Sequence, residues 1–270
     1  MEHTDWDDLD SSVRDVIEAQ TGTVLHARTA TAGLNSRLAL ILDTVTGPVF
    51  IKGLPADHPG VARQHREAMI NPHVTPVAPQ LLWHVENAGW NLLAFTYVRG
   101  ARHADYSPGS ADPHYVTGAM NRLHQIGCPN LPVKEATQRW AAYLDPGTTA
   151  YLAGDTLLHT DFNPLNILRT PTETWIVDWA WPTRGAAFID PACFLIRLIT
   201  NGHTPASAEH WAAQCASWHR APRHAVDAFA IASARLFAEI AREDPQPWKH
   251  HIAHAALQWA TYRQALAAAR

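Results

Sequence analysis

Apolar and polar residues alternate in three short runs near the start of the chain, TVLHART, RLALILDT and PVFIKG, separated by ATAGLNS and VTGP. Alternation buries one face of each run, and connectors rich in turn residues fold adjacent runs back on each other, so an antiparallel meander is predicted. Ahead of it, DSSVRDVIEAQTG reads as a short helix, with Ser12 and Asp15 spaced as a capping box and Gly22 placed to end it. HPGVARQHREAMINPH reads as a second helix bounded by Pro59 and Pro72, and QLLWHVENAGWNLLAFTYV as two strands joined at ENAG. From DPHYVTGAMNRLHQIG onward the pattern becomes helical. It is broken by two apolar runs, LNILRT and TWIVDW, whose short link PTE predicts a hairpin, and the tail from residue 191 is helical and alanine-rich. No internal repeat is evident. The pattern therefore divides into a strand-rich lobe, 1–98, and a mainly helical lobe, 99–270.

Composition agrees with that division. At 270 residues and 47% apolar content, the chain is near the size at which one core divides into two. A net charge of -4 without a basic stripe excludes nucleic acid and an anionic membrane as expected partners, leaving a small molecule. Cys128, Cys193 and Cys215 are an odd, widely spaced set that defines neither a disulfide framework nor a cysteine zinc site. The acidic start lacks the pattern of a signal peptide, and no apolar run approaches the roughly 20 residues that span a bilayer. A cytoplasmic protein is expected, as a monomer or homodimer.

The stretch LLHTDFNPLNIL places a histidine, an acid and two asparagines between apolar runs bound for a core. Polar groups there cost about 1 to 3 kcal/mol each unless they are hydrogen-bonded or bind something. His159, Asp161 and Asn166 form H-x-D-x-x-x-x-N, and Asp178 follows at the end of the proposed hairpin. Phosphoryl transfer from ATP gives each a use, because its loose transition state needs positioning and charge neutralisation more than covalent chemistry. Asp161 would orient a hydroxyl and accept its proton, while Asn166 and Asp178 would offer hard oxygen ligands to Mg2+. A hairpin would bring the latter two together. Lys52, one of three lysines, ends the strand VFIK, where its charge would hold phosphates; Glu67 in the next helix would pair with it. Gly33, with Ser36, lies in TAGLNS, where backbone N–H groups would approach phosphate.

The ordered series VFIK, REAMI, LLAFTYVRG, RLHQI, HTDFNPLNIL, WIVDWA and FIDPACFLI resembles the aminoglycoside phosphotransferase family, small-molecule kinases related to protein kinases. The resemblance spans most of the chain. It implies an α+β, bilobal protein-kinase-like fold, MgATP bound between the lobes, and a small hydroxylated acceptor. It carries the base role to Asp161, the metal roles to Asn166 and Asp178, the phosphate contact to Lys52, and nucleotide contacts to Phe95 and Tyr97 in the hinge stretch. The chain departs from protein kinases in having Val177, Asp178 and Trp179 at the D-F-G position. Only eleven residues separate Asp178 from Asp190, too few for a typical activation loop, so a protein substrate is not expected.

Other residues have plainer readings. His159 is expected to hold its loop by hydrogen bonds, Asp190 before Pro191 to cap a helix, and His250, His251 and His254 to lie on a wet helix face. From Trp179 to the end there are six acids against nine Lys and Arg, few for a polycationic acceptor. Trp179, Trp181, Trp211, Trp218, Trp248 and Trp259 are each expected to pack in the core, yet those near the acceptor would shape a pocket for a weakly charged, ring-containing molecule such as a nucleoside, macrolide-like or peptide antibiotic. The competing readings are a metabolic kinase for an amino alcohol or sugar, and a kinase-like sensor without turnover.

Overall fold

The computed structural model describes residues 3–30 and 36–269. The chain divides into two compact units: Met1–Arg102 with Trp175–Ala180, and His103–Thr174 with Trp181–Arg270. Among the described residues, no helix is long and apolar enough to cross a membrane.

The first unit is built on five antiparallel strands, β1 (Val24–Thr29), β2 (Leu38–Thr44), β3 (Gly47–Pro55), β4 (Leu81–Asn87) and β5 (Trp90–Thr96), in the order β1-β2-β3-β5-β4. The predicted meander forms, and the ENAG turn closes the β4–β5 hairpin with Ala88 and Gly89 both at positive φ, the geometry that matches strand twist. Period-two alternation sends Leu38, Leu40, Leu42, Ile51, Leu92 and Ala94 to one side of the sheet. There they pack with Leu9, Val13 and Ile17 from and beside helix α1 (Ser11–Thr21). Lys52, next to Ile51, therefore projects to the other side, where it meets helix α2 (Val61–Val74).

Two predicted helix boundaries are corrected. Ser12 lies inside α1, and the first-turn N–H groups of Val13 and Arg14 go to the Asp10 carbonyl, so the capping box with Asp15 does not form. Gly22 does end that helix, at φ 75°. Pro72 lies within the last turn of α2 and does not terminate it. That turn is anchored by buried Val74 and by Asn71, whose side chain donates to the Pro79 carbonyl and accepts from Leu81 N–H. These contacts offset the hydrogen bond that proline cannot make.

The second unit contains six further strand segments, β6 (Arg102–His103), β7 (Lys134–Glu135), β8 (Thr156–Leu158), β9 (Ile167–Arg169), β10 (Thr174–Ile176) and β11 (Thr183–Gly185); β6 and β10 run across its boundaries. The predicted hairpin is β9–β10, closed by Thr170 N–H on the Glu173 carbonyl at 3.0 Å. Strand β11 joins β8 antiparallel and β7 parallel. The helices are α3 (Asp112–Leu123), α4 (Ala136–Arg139), α5 (Ile189–Thr200), α6 (Pro205–Ala212), α7 (Ala216–Arg220), α8 (Arg223–Glu243) and α9 (Pro247–Ala268). Arg263 on α9 fastens three of them: its guanidinium lies 2.6 Å from Asp227 on α8 and 3.2 Å from Glu209 on α6. Trp259 is fully buried beside it and donates its indole N–H to Glu209 at 2.9 Å, so this tryptophan belongs to the helical core and not to a pocket wall.

Candidate active site

Each unit carries one cluster of the residues singled out in the sequence. In the first, Lys52 on β3 forms an ion pair with Glu67 on α2, and its ammonium lies 3.4 Å from Asp178. Lys52 and Glu67 are only 8% and 4% exposed, so this is a desolvated pair. Burial lowers the Lys52 pKa, yet the Glu67 and Asp178 carboxylates outweigh it and the net shift is upward. The Glu67 carboxyl is also shifted up, by burial first, with Lys52 and a backbone N–H from Trp179 pulling against it. Lys52 is therefore charged at neutral pH and held on two sides. The Lys52 ammonium stands 5.7 Å from the centroid of the Phe95 ring; Tyr97, just beyond β5, is partly buried.

Asp178 reaches this unit because residues 175–180 pack with it. Ile176 N–H donates to the Val77 carbonyl at 2.7 Å, and Arg66 Nε donates to the Ala180 carbonyl at 3.0 Å. Asp178 itself sits at φ 62°, a left-handed conformation that a non-glycine residue adopts only when its surroundings impose it. Trp179 is buried and bonds the Ile176 carbonyl, which makes it core rather than pocket. Ser36 is partly buried just before β2, and Gly33 lies outside the described residues.

In the second unit, Asp161 and Asn166 come together on the loop after β8. Asn166 Nδ2 donates to both the carbonyl and the carboxylate of Asp161, each at 3.1 Å. Asp161 is further held by Arg197, on α5, at 2.7 Å. The preceding residue, Thr160, is at φ 68°, so the loop is bent through a second left-handed residue.

Asp190 imposes that bend. It is fully buried and accepts the backbone N–H groups of His159, at 3.1 Å, and Thr160, at 2.8 Å. Its expected role as a helix cap is corrected: α5 begins at Ile189 after Phe188, without a side-chain cap, and Asp190 brackets the loop instead. His159 is structural as expected, its Nδ1 accepting the Asp161 N–H at 3.3 Å while its ring packs against Phe162. Arg139 adds a further brace, donating to the Thr160 and Thr183 hydroxyls at 2.7 and 2.5 Å. Arg197, Arg139 and the loop role of Asp190 were not legible in the sequence; the nearest signal was the run FIDPACFLIR itself. Replacing Asp190 with Asn keeps the size but turns an N–H toward donors. The expected result is a loss of about 1 to 3 kcal/mol in denaturant unfolding, with the Thr160 bend relaxed.

The same fold occurs in small-molecule kinases. The choline kinase LicA from Streptococcus pneumoniae superposes with a TM-score of 0.62 over 93% of this chain and 99% of its own, at 11% identity. The macrolide 2'-phosphotransferase MphH from Brachybacterium faecium gives 0.54 over 90% and 96%, at 19% identity. An aminoglycoside phosphotransferase, APH(4)-Ia, gives 0.58 over 92% and 98%, at 13% identity. No protein-family model and no curated protein matches the sequence. The chain thus has the α+β, protein-kinase-like fold of small-molecule phosphotransferases, the fold that the sequence resemblance implies.

Proposed function

We propose that the protein is an ATP-dependent O-phosphotransferase that moves the γ-phosphoryl group to a hydroxyl of a small molecule. The observation that carries this reading is the buried Lys52–Glu67 pair with Asp178 at its end. Desolvating an ion pair is a poor way to stabilise a sheet, since apolar residues of similar size serve as well or better. A preset ammonium beside a carboxylate is what a nucleotide's phosphates and their metal require. Structural neighbours support nucleotide binding: one LicA structure holds AMP, and a thermostable APH(4)-Ia mutant holds AMP-PNP with hygromycin B.

The residues fit Mg2+. Asn166 turns its amide nitrogen to Asp161, so Oδ1 would be the atom it offers a cation, and Asp178 would offer a carboxylate oxygen; each is the kind of hard oxygen donor that Mg2+ prefers. When bound, the metal would neutralise phosphate charge. Asp161 orients the acceptor hydroxyl and takes its proton as the oxygen bonds the γ-phosphorus and the bond to the β,γ-bridging oxygen breaks, releasing ADP. Arg197 and Asn166 fix the carboxylate for that task. Lys52 holds the remaining phosphates. Phe95 and Tyr97 are the proposed nucleotide contacts. The three free cysteines and the ATP requirement fit the cytoplasm.

For the acceptor, the acids of the C-terminal segment are largely committed to protein partners. Asp190 holds backbone N–H groups, Glu209 and Asp227 hold Arg263, Glu239 accepts from Tyr143, and Asp244 pairs with Lys249. That is a poor match for a polycationic amine. The acceptor is a weakly charged, hydroxylated molecule such as a nucleoside or macrolide-like antibiotic, and the biological role is antibiotic inactivation. The test is ADP release from MgATP with a panel of antibiotics, nucleosides, sugars and amino alcohols. Neutral acceptors are expected to give at least tenfold higher kcat/KM than kanamycin-type amines. The reverse order would overturn the acceptor class, and release with choline-like amino alcohols alone would make this a metabolic kinase.

A further inference from the structure

Among the described residues, one group of three places its ligand atoms closely enough to hold a metal ion, and it shares no residue with Lys52, Glu67 and Asp178: His65 on α2 with His84 and Glu86 on β4. One nitrogen of each imidazole and a Glu86 carboxylate oxygen all lie within 4.8 Å of one another. His65 Nε2 is 2.7 Å from Glu86 Oε1, His84 Nε2 is 4.0 Å from the same oxygen, and the two rings stand 5.4 Å apart. A tetrahedral zinc ion, with ligands about 2.0 to 2.2 Å away, sets its donors roughly 3.3 Å apart. The His65–Glu86 separation lies below that value, and the 4.8 Å within which all three donors fall lies above it.

The arrangement follows from the fold. Residues two apart on a strand share a face, so His84 and Glu86 project together, and α2 delivers His65 opposite them. His84 is fixed from beneath: buried Asn91 donates its amide to Gln64 Oε1 at 2.7 Å, so its Oδ1 accepts the His84 Nε2–H at 2.7 Å, and Nδ1 is the His84 nitrogen left to ligate a metal. A polar partner behind a histidine ring sets its orientation and tautomer, as is usual for metal-binding histidines. The strand β4 is an edge strand, and all three side chains are exposed, so an ion can reach them and keep water in its remaining positions.

We propose that His65, His84 and Glu86 form a site for one divalent transition-metal ion, zinc by ligand type, that clamps α2 to β4. Two imidazoles and one carboxylate are borderline-soft and hard donors suited to Zn2+ and not to Mg2+, which takes oxygen ligands. Binding replaces the proton between His65 and Glu86, which passes to the other ring nitrogen or to buffer. Because α2 carries Glu67 two residues after His65, the clamp also steadies the helix that pairs with Lys52.

The experiment is titration of the metal-free full chain with Zn2+ and, separately, Co2+, neither of which needs the phosphotransferase reading to hold. One equivalent is expected to bind, with a visible Co2+ spectrum of four- or five-coordinate type and added hydrogen-exchange protection across residues 61–74. His65→Ala and Glu86→Gln are each expected to weaken binding at least tenfold. Both side chains are exposed, so both variants should fold; a circular dichroism spectrum like the parent's checks it. His250→Ala with His254→Ala is expected to leave uptake unchanged. Absence of saturable uptake, or uptake that survives His65→Ala and Glu86→Gln but falls in the α9 double variant, would overturn the proposal.

Discussion

Asp161→Asn is expected to lower kcat for acceptor-dependent ADP release by about 10²- to 10⁴-fold, the usual contribution of a positioned base. Asparagine keeps the shape; its one side-chain oxygen can still meet Arg197, and Asn166 keeps its bond to the backbone carbonyl of residue 161, so the loop should persist. What disappears is the charge and the site that accepts the hydroxyl proton. The KM for ATP should move little, because the residues that hold nucleotide in this reading, Lys52 among them, are untouched. Kinetics in parallel with equilibrium nucleotide binding separates the two effects: kcat falling with binding retained assigns the base role. Activity within threefold of wild type would remove Asp161 from the chemistry.

Lys52→Met is expected to have the largest effect on stability. It strips the cation from between Glu67 and Asp178 and leaves the buried Glu67 carboxylate without its compensating charge, a change that costs about 3 to 5 kcal/mol. Adding Glu67→Gln should recover much of the loss, since the neutral amide removes the stranded charge. The pH dependence has a definite sign. Glu67 already titrates above its ordinary value through burial, and without Lys52 it goes higher still. A carboxyl whose pKa is higher folded than unfolded binds its proton preferentially in the folded state, so stability rises as pH falls through the folded value. The deficit of Lys52→Met should therefore shrink between pH 8 and pH 5, and the double variant should show no such recovery. Urea unfolding of the wild type, Lys52→Met and the double variant at the two pH values tests both statements.

How much was readable in advance differs between the two units for physical reasons. The strands of the first unit announce themselves because one face is buried, and period-two alternation with Gly and Pro turns is a local signal. Lys52, Glu67 and Asp178 were found through their order along the chain, and the structure brings them together. Asp190 was misread because an acid before proline at a helix start carries the same local pattern whether it caps that helix or reaches a distant loop. Only tertiary placement decides, and it sets Asp190 under His159 and Thr160. Arg197 and Arg139 have the same character: nothing near either in sequence marks the loop it braces. Trp259 and Trp179 are buried in the core, the reading expected for any one of the tryptophans, and so are not available to line an acceptor pocket.

The passage of residues 175–180 into the first unit has a consequence for the chain as it is made. A ribosome finishes residue 102 and must then add residues 103–174 before the segment carrying Asp178 emerges, a delay of roughly 4 to 15 s at ordinary synthesis rates. During that interval the Val77 carbonyl lacks the Ile176 N–H and Lys52 has only Glu67 for company. The amino-terminal portion therefore waits, incomplete, for a piece encoded far downstream. A truncated product ending near residue 102 should be captured by chaperones or degraded, while one ending after residue 180 already holds the segment that completes that portion.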